Sequence, residues 1–144
     1  MRIKLLLLAI INFGISCVAP PEYTDGLLEN IPAIIDESDY FSLSILGQDY
    51  TDDHEWELSF SSSDSNDIIL QTIALKDLNL SSGSSYLYII TVSDDSLSDT
   101  LNWIINNNMI ETREDSVKNI GIPSKVIFSG DDFSGRLEYQ IIKQ

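Results

Sequence analysis

Apolar and polar residues alternate along two segments of this chain, and that period of two restricts the fold more than any other feature. Between residues 40 and 46 the apolar positions are Phe41, Leu43 and Ile45. Between residues 56 and 61 they are Trp56, Leu58 and Phe60. Strict alternation predicts β-strands with one buried face and one solvated face.

Four further segments are rich in β-branched and aromatic residues, which favours strands. They are 68–75, 86–92, 125–129 and 136–142. Between the last two, Gly130-Asp131-Asp132-Phe133-Ser134-Gly135 has the turn chemistry of a closing hairpin. We therefore expect a mainly β fold, a small antiparallel sandwich of about six or seven strands.

One segment has a helical period instead. Apolar residues recur at helical spacing, at Leu97, Leu101, Ile104, Ile105 and Met109. Ser96 stands three residues before Asp99, which is close to a capping box, and asparagines at 106–108 suit a helix end. The pattern predicts one inserted α-helix from about Leu97 to Asn107.

The stretch Leu80 to Val92 resembles the corner of fibronectin type III and other immunoglobulin-like sandwiches, in which a leucine, a turn glycine and a tyrosine precede a central strand. The resemblance covers 13 residues and implies a Greek-key sandwich. It implies structural roles for Gly83 and for Tyr86, whose hydroxyl would bond back to the upstream backbone.

A second local likeness involves Trp56-Glu57-Leu58-Ser59-Phe60, which is similar to a strand of HmuY-like haem-scavenging lipoproteins. That family holds haem through histidines. His54 is the only histidine of this chain, so the likeness does not carry haem binding with it.

The N-terminus reads as a secretory signal peptide. Two basic residues, Arg2 and Lys4, precede an apolar run that Asn12 and Gly14 interrupt. The run is shorter than the ~20 apolar residues that a spanning helix needs. Gly14-Ile15-Ser16-Cys17 resembles the lipobox of bacterial lipoproteins, although glycine replaces the usual leucine-like residue. The resemblance implies that the single cysteine, Cys17, is acylated, with palmitate as a usual chain, and becomes the new N-terminus.

These features predict three parts: a signal peptide at 1–16, a lipidated tether at 17–36 and a β-sandwich domain at 37–144. Five aliphatic residues between 27 and 35 suggest that the end of the tether docks on the domain. Val18 follows the cysteine, where some inner-membrane lipoproteins carry aspartate. The expected location is therefore the outer membrane or the cell surface.

Charge restricts the partners. The chain has 8 basic and 23 acidic residues, a net charge of −15. Such a surface repels nucleic acid and anionic lipid, so nucleic-acid binding is excluded from our expectations. Solubility or a saline habitat is one explanation of the acidity, and binding of divalent cations is the other.

Catalytic chemistry has few candidates. One histidine and one cysteine supply neither a convincing nucleophile–base pair nor a zinc cluster. His54 is expected to be a solvated residue at the start of a strand. An enzyme is not expected, and the hydrolase alternative requires two facing carboxylates.

Calcium is the only cofactor that the sequence suggests. The candidate ligands are loop oxygens, from Asp64, Asn66, Asp67, Asp131 and Asp132. Neither stretch matches an EF-hand loop, and the same residue types are favoured in ordinary turns.

Exposed aromatic residues are the other candidate ligand site. Trp56 is expected in the core as a structural residue, whereas Trp103 would lie off the apolar stripe of the predicted helix, at the margin of that stripe or exposed. Trp103 and Tyr88 could then form a stacking platform for a sugar.

Three functions remain at this stage. The favoured one is a lipid-anchored module of the cell envelope that binds another envelope protein by a sheet face or edge. The second is a ligand-capturing lipoprotein for glycan or a small hydrophobic molecule, with or without calcium. The third is a carboxylate hydrolase.

Overall fold

The structure is a computed structural model, which describes residues 26–144 except 62, 63, 65, 80–82 and 94–97. In chain order its elements are β1 (Ala33–Asp36), β2 (Tyr40–Tyr50), β3 (Asp53–Glu57), β4 (Ile68–Lys76), β5 (Ser85–Val92), β6 (Ser98–Ile105), β7 (Met109–Ser116), α1 (Val117–Ile120), β8 (Ile122–Ser129) and β9 (Phe133–Lys143). The predicted mainly β class is confirmed.

The strands form two antiparallel sheets that pack face to face as a sandwich. The five-stranded sheet has the order β1-β2-β9-β4-β7, and the four-stranded sheet has the order β3-β8-β5-β6. In each sheet every second residue points inward, and the inward residues of both sheets make one core. Its largest fully buried side chains include Trp103, Tyr139, Phe41, Phe128 and Phe133.

Five of the predicted strands are present as β2, β4, β5, β8 and β9, and the one predicted at 56–61 overlaps β3 only at residues 56 and 57; the described residues form nine strands instead of the six or seven expected. β3 begins at Asp53, three residues before the predicted start, and ends at Glu57. The alternation beyond it still holds, since Leu58 and Phe60 pack against the core. The pattern located the buried residues there, although the paired strand stops earlier.

The predicted helix at 97–107 is wrong. Residues 98–105 form β6, which pairs with β5 along its whole length, from Val92 opposite Ser98 to Ser85 opposite Ile105. Leu101, Trp103 and Ile105 face inward, and the outward Ile104 is 52% exposed. An apolar residue on the outer face of a strand produced the helix-like spacing. The helix that is present, α1, has four residues and lies between β7 and β8.

The predicted closing hairpin at 130–135 is also wrong. β8 belongs to the four-stranded sheet and β9 to the five-stranded sheet, so the connection between them crosses the sandwich. Asp132 takes a left-handed conformation with φ 56°, which aspartate tolerates better than most residues. The sequence identified the turn residues correctly, but the turn connects the two sheets instead of joining neighbouring strands of one sheet.

β1 lies within the segment that was predicted to be tether. It pairs with β2 from Ala33 opposite Ser44 to Asp36 opposite Phe41. Before it, the side chain of Asn30 donates to the Gln48 carbonyl at 2.9 Å and accepts from the Gln48 amide at 2.8 Å. The chain is therefore joined to the sheet from about residue 29 onward.

Candidate binding surface on the four-stranded sheet

The outer face of the four-stranded sheet holds the candidate site, and the strand register arranges its residues in rows. Residues directly opposite each other in an antiparallel pair point to the same face. One row across the sheet is Asp53, Ser129, Tyr86 and Ile104. The next row is Glu55, Ile127, Tyr88 and Asn102.

Tyr86 and Tyr88 lie two residues apart on β5 and share this face. Their ring centroids are 5.8 Å apart, and the ring planes differ by 19°. Both rings are partly exposed, and Ile104 beside them is 52% exposed. We call Tyr86, Tyr88, Ile104 and Ile127 the tyrosine surface.

The inward residues of β5 fix the position of this surface. Leu87 and Ile89 alternate with the tyrosines and are completely buried. β5 is an interior strand of its sheet, paired with β6 on one side and β8 on the other. Tyr86 and Tyr88 therefore stand on an interior strand of the four-stranded sheet, with Ile127 on the other interior strand, β8, and Ile104 on the edge strand β6.

Acidic residues border the tyrosine surface on the β3 side. Asp53, Glu55 and Glu57 all lie on the outer face of β3 and are exposed. Lys125 lies beside them, with its Nζ 2.9 Å from Glu57 Oε1 and 3.2 Å from Glu55 Oε1. Hydrogen bonds to Glu57 and then Glu55 raise the pKa of Lys125. Three carboxylates against one ammonium leave this border negative.

Tyr88, a predicted ligand residue, lies on the tyrosine surface, but Trp103 does not. Trp103 is 2% exposed and faces the core. The guanidinium of Arg113 lies 3.6 Å from the centre of its ring and covers it. Its expected place at the surface is therefore wrong, because residue 103 is an inward position of a strand and not the margin of a helix.

The two predicted calcium loops lie at opposite ends of the sandwich. Asp64, Asn66 and Asp67 precede β4, whereas Asp131 and Asp132 connect β8 to β9 at the other end of the strands. In the first loop the Asp64 carboxylate accepts from the backbone and side chain of Asn66, both at 3.0 Å. The Asp67 carboxylate accepts from the Asp64 amide at 3.1 Å. Within the described part of the chain, no group of three or more His, Cys, Asp or Glu residues is placed to hold a metal ion.

The residues expected to be structural have varied environments. A Cβ on Gly83 would lie 1.9 Å from the carbonyl oxygen of Asp131, so only glycine fits that approach. Trp56 is partly buried against the core, and its ring stacks on His54, which stacks in turn on Tyr50. Tyr86 points outward toward Tyr88. The likeness to the tyrosine corner implied a bond from its hydroxyl to the upstream backbone, and part of that backbone, residues 80–82, lies outside the described residues.

His54 lies on β3, next to its first residue. Its Nε2 is 3.3 Å from the Asp52 carboxylate, and its side chain is 37% exposed. It is half-buried between two aromatic rings instead of fully solvated as expected. His54 therefore packs against two aromatic rings and lies beside one carboxylate.

A half-open concavity of about 340 Å³ lies on the five-stranded sheet, near the start of the described chain. Polar and charged side chains line it, among them Glu29, Gln48, Asp77 and Arg136, together with Leu27 and Leu46. The guanidinium of Arg136 is paired with Glu138 at 2.6 Å. Such walls do not suit a small hydrophobic molecule, because the charges would lose water on binding.

The sequence reasoning missed two residues of the tyrosine surface, Ile104 and Ile127, and a signal was available for Ile104. The helical reading placed it on a buried stripe. The available signal was the neighbouring Ile105, because two adjacent isoleucines on a strand point to opposite faces.

Cys17, the predicted lipidation site, lies outside the described residues. Within residues 26–144, apart from the gaps given above, no helix has the length and apolarity to cross a membrane. A scan against protein-family models found no match, and a search of curated proteins found no relative of this chain.

Proposed function

We propose that this chain is a lipid-anchored binding module of the bacterial cell envelope that recognises a partner protein through the tyrosine surface. One observation carries the proposal: two partly exposed tyrosine rings and the exposed Ile104 lie next to one another on the outer face of a sheet whose inner face packs against the core. Tyrosine is enriched at the energetic centres of protein interfaces. Exposed apolar groups that lie together on a surface mark interaction sites.

The chemistry of the surface favours a protein partner with basic groups. Ile104 offers no hydrogen bonds, so it gains from an apolar contact and adds nothing to a sugar's hydroxyls. The carboxylates of Asp53, Glu55 and Glu57 lie along one side, and the net charge of the chain is −15. A partner that places lysine or arginine opposite β3 would complement both features.

The direct test is recovery of the partner from native membranes with matched variants. Tyr88→Ser removes a ring from the tyrosine surface, and Tyr40→Ser removes a partly exposed ring from the five-stranded sheet. We expect Tyr88→Ser to weaken binding of a stoichiometric partner by about thirty-fold, since a central tyrosine contributes about 2 kcal/mol. Tyr40→Ser should bind as the parent does.

A second pair of variants tests whether binding depends on the tyrosine surface or on exposed aliphatic side chains in general. Ile104 and Ile110 lie on either side of the β6–β7 turn and are 52% and 73% exposed. Ile104→Ser should weaken the complex, and Ile110→Ser should not. Equal effects of the two would contradict recognition by the tyrosine surface.

The anchor has its own test. Replacing Cys17 by serine should move the protein from the membrane fraction to the soluble fraction and abolish palmitate labelling. Two or more acyl chains hold a protein stably, whereas one chain holds it only marginally. Unchanged membrane association of Cys17→Ser would overturn the lipoprotein assignment while leaving the binding surface standing.

The near-parallel rings of Tyr86 and Tyr88 favour one alternative, capture of a glycan. The two rings stack next to each other on the outer face, and Glu55 and Asn102, in the same row as Tyr88, supply acceptors and donors. Titration calorimetry with envelope glycan fragments tests it. Saturable binding that is lost in Tyr88→Ser and kept in Ile104→Ser would favour the glycan over the protein partner.

A further inference from the structure

Four exposed aliphatic side chains occur between residues 28 and 35, where the described chain joins the five-stranded sheet. They are Leu28 (53% exposed), Ile31 (55%), Ile34 (44%) and Ile35 (52%). We call them the aliphatic edge. They account for four of the seven large hydrophobic residues that are exposed among the described residues, although the surrounding surface is strongly acidic.

Backbone hydrogen bonding and strand pairing hold the aliphatic edge in place. Asn30 takes a left-handed conformation with φ 60° between Leu28 and Ile31, and its amide donates to the Leu46 carbonyl at 2.8 Å. Ile34 and Ile35 are on β1, opposite Leu43 and Ser42, so they point to opposite faces of the sheet edge. The chain therefore presents aliphatic groups on both sides of one edge strand.

We infer that the aliphatic edge is a second membrane contact, which lays this end of the domain against a zwitterionic bilayer surface. The inference rests on the proposed acylation of Cys17. Leu28 is eleven residues after Cys17, so the chain itself holds it within about 40 Å of the lipid even when fully extended. Leu28, Ile31, Ile34 and Ile35 are the first exposed aliphatic residues of the described chain after the anchor.

Tethering makes a contact of this size effective. Four partly exposed aliphatic side chains would not hold a free domain at a bilayer, because a single apolar anchor binds only marginally. Beside a lipid anchor the contact becomes intramolecular, with an effective concentration in the millimolar range. The edge then needs only to bias the orientation of a domain that is already held at the surface.

Charge determines the kind of lipid. Glu29 and Glu37 are exposed beside the aliphatic edge, and anionic headgroups would repel them. Asp36 is engaged within the domain, where it accepts from the Ser59 hydroxyl at 2.7 Å and from the Ser59 amide at 3.0 Å. We therefore expect the contact on phosphatidylcholine and its weakening on phosphatidylglycerol, with recovery at high salt.

A second copy of this chain is the competing occupant. An open strand edge with aliphatic groups can pair with another edge strand. Two chains of net charge −15 repel each other, and this disfavours the pairing at low salt. The test below separates the two occupants.

The test uses Cys17 as a chemical handle, since it is the only cysteine. The chain from Cys17 onward is coupled through this thiol to maleimide lipid in phosphatidylcholine vesicles, which makes the result independent of natural acylation. Ile35→Trp places a reporter on the aliphatic edge. Ile110→Trp places the same reporter on β7, the other edge of the same sheet. Circular dichroism and the urea midpoint establish that both variants keep the parent fold.

We expect phospholipids with brominated acyl chains to quench the added fluorescence of Ile35→Trp and leave that of Ile110→Trp unquenched. Quenching should be strongest for bromines nearest the headgroup, because an interfacial contact reaches ~5–10 Å into the boundary. Adding Ile34→Ser to Ile35→Trp should reduce the quenching. Loss of the quenching on phosphatidylglycerol at low salt should accompany these results.

Equal quenching of the two reporters, or none at residue 35, would overturn the membrane contact. In the absence of lipid, the emission of Ile35→Trp could shift to the blue as protein concentration rises. That result would assign the aliphatic edge to a second copy of this chain and would also overturn the membrane contact. Because the vesicle coupling replaces natural acylation, these failures are distinct from failure of the Cys17→Ser test.

Discussion

The two sides of the core are built from different chemistry. Around Phe41, Leu43 and Phe128, on β2 and β8, the buried side chains are mostly apolar. Toward β6 and β7 the interior holds polar groups. There the Tyr139 hydroxyl donates to Gln71 Oε1 at 2.8 Å, with both residues fully buried.

The two sides of the core place different demands on the residues that form them. Apolar contacts are not directional, so one side needs only residues of suitable volume. The polar side needs particular pairs, because an unpaired polar group in a core is costly. Buried polar atoms without a hydrogen-bond partner among the described residues occur on both sides: the Tyr50 hydroxyl beside Phe128, and Gln71 Nε2 and Trp103 Nε1 on the polar side.

The apolar side should show the largest effect of a single truncation. Phe128 is fully buried, and its ring contacts Phe133 edge-on at 5.5 Å and Tyr50 at 5.8 Å. Phe128→Ala should lower the free energy of unfolding by about 3–5 kcal/mol, measured by urea denaturation. Phe60→Ala, at a partly buried ring outside the paired strands, should cost clearly less. Equal losses would mean that the ring of Phe128 is not the better packed of the two.

The polar side should respond to pairs and not to single groups. Gln71→Leu leaves the Tyr139 hydroxyl buried without its acceptor and should cost about 1–3 kcal/mol. The double variant Gln71→Leu with Tyr139→Phe removes both partners, and we expect most of that stability to return. Additive losses in this double-mutant cycle would show that the bond contributes nothing of its own.

The same contrast explains which parts of the fold could be predicted from the sequence. On the apolar side, alternation at Phe41, Leu43 and Ile45 identified both the strand and its buried face. On the polar side, β7 has the sequence MIETREDS. Its inward positions Glu111 and Arg113 lie opposite Ile73 and Gln71, so the strand shows no apolar alternation and was missed.

β6 was mistaken for a helix for a related reason. Ile104 is apolar but points outward, opposite Tyr86, so apolar residues appeared at helical spacing. Only the pairing with β5, which is a tertiary property, identifies the segment as a strand. The candidate site was thus only partly predictable: Tyr88 was named from the sequence, whereas its neighbour Ile104 required the register.

High pH should weaken the polar side selectively. Burial raises the pKa of Tyr139 well above its usual 10.0, although the nearby charge of Arg113 opposes the shift. Above about pH 10 the unfolded chain releases a proton that the folded chain keeps, so stability falls as pH rises, by up to about 1.4 kcal/mol per pH unit.

Urea midpoints between about pH 9 and about pH 11 measure this slope. Tyr139→Phe should reduce it most. Burial and the nearby Asp52 charge also raise the pKa of Tyr50, so Tyr50→Phe should reduce it less. Tyr40→Phe leaves both groups in place and should keep the parental slope. A parental slope in Tyr139→Phe would contradict the assignment.

The smallest effect is expected at the rim of the polar side. Arg113 covers the Trp103 ring, and its Nε bonds Glu111 Oε1 at 3.2 Å. Its side chain is 38% exposed, so water screens the ion pair and the ring contact contributes about 0.5–1 kcal/mol. Arg113→Ala should lower the free energy of unfolding by about that amount, and Lys118→Ala, an exposed control on α1, should lower it less.

Arg113→Ala should also increase the quenching of Trp103 by acrylamide, because the guanidinium covers the ring face. Unchanged acrylamide quenching would mean that other parts of β6 and β7 shield the Trp103 ring without this arginine. The polar and apolar sides of the core would then differ only in the Gln71–Tyr139 pair.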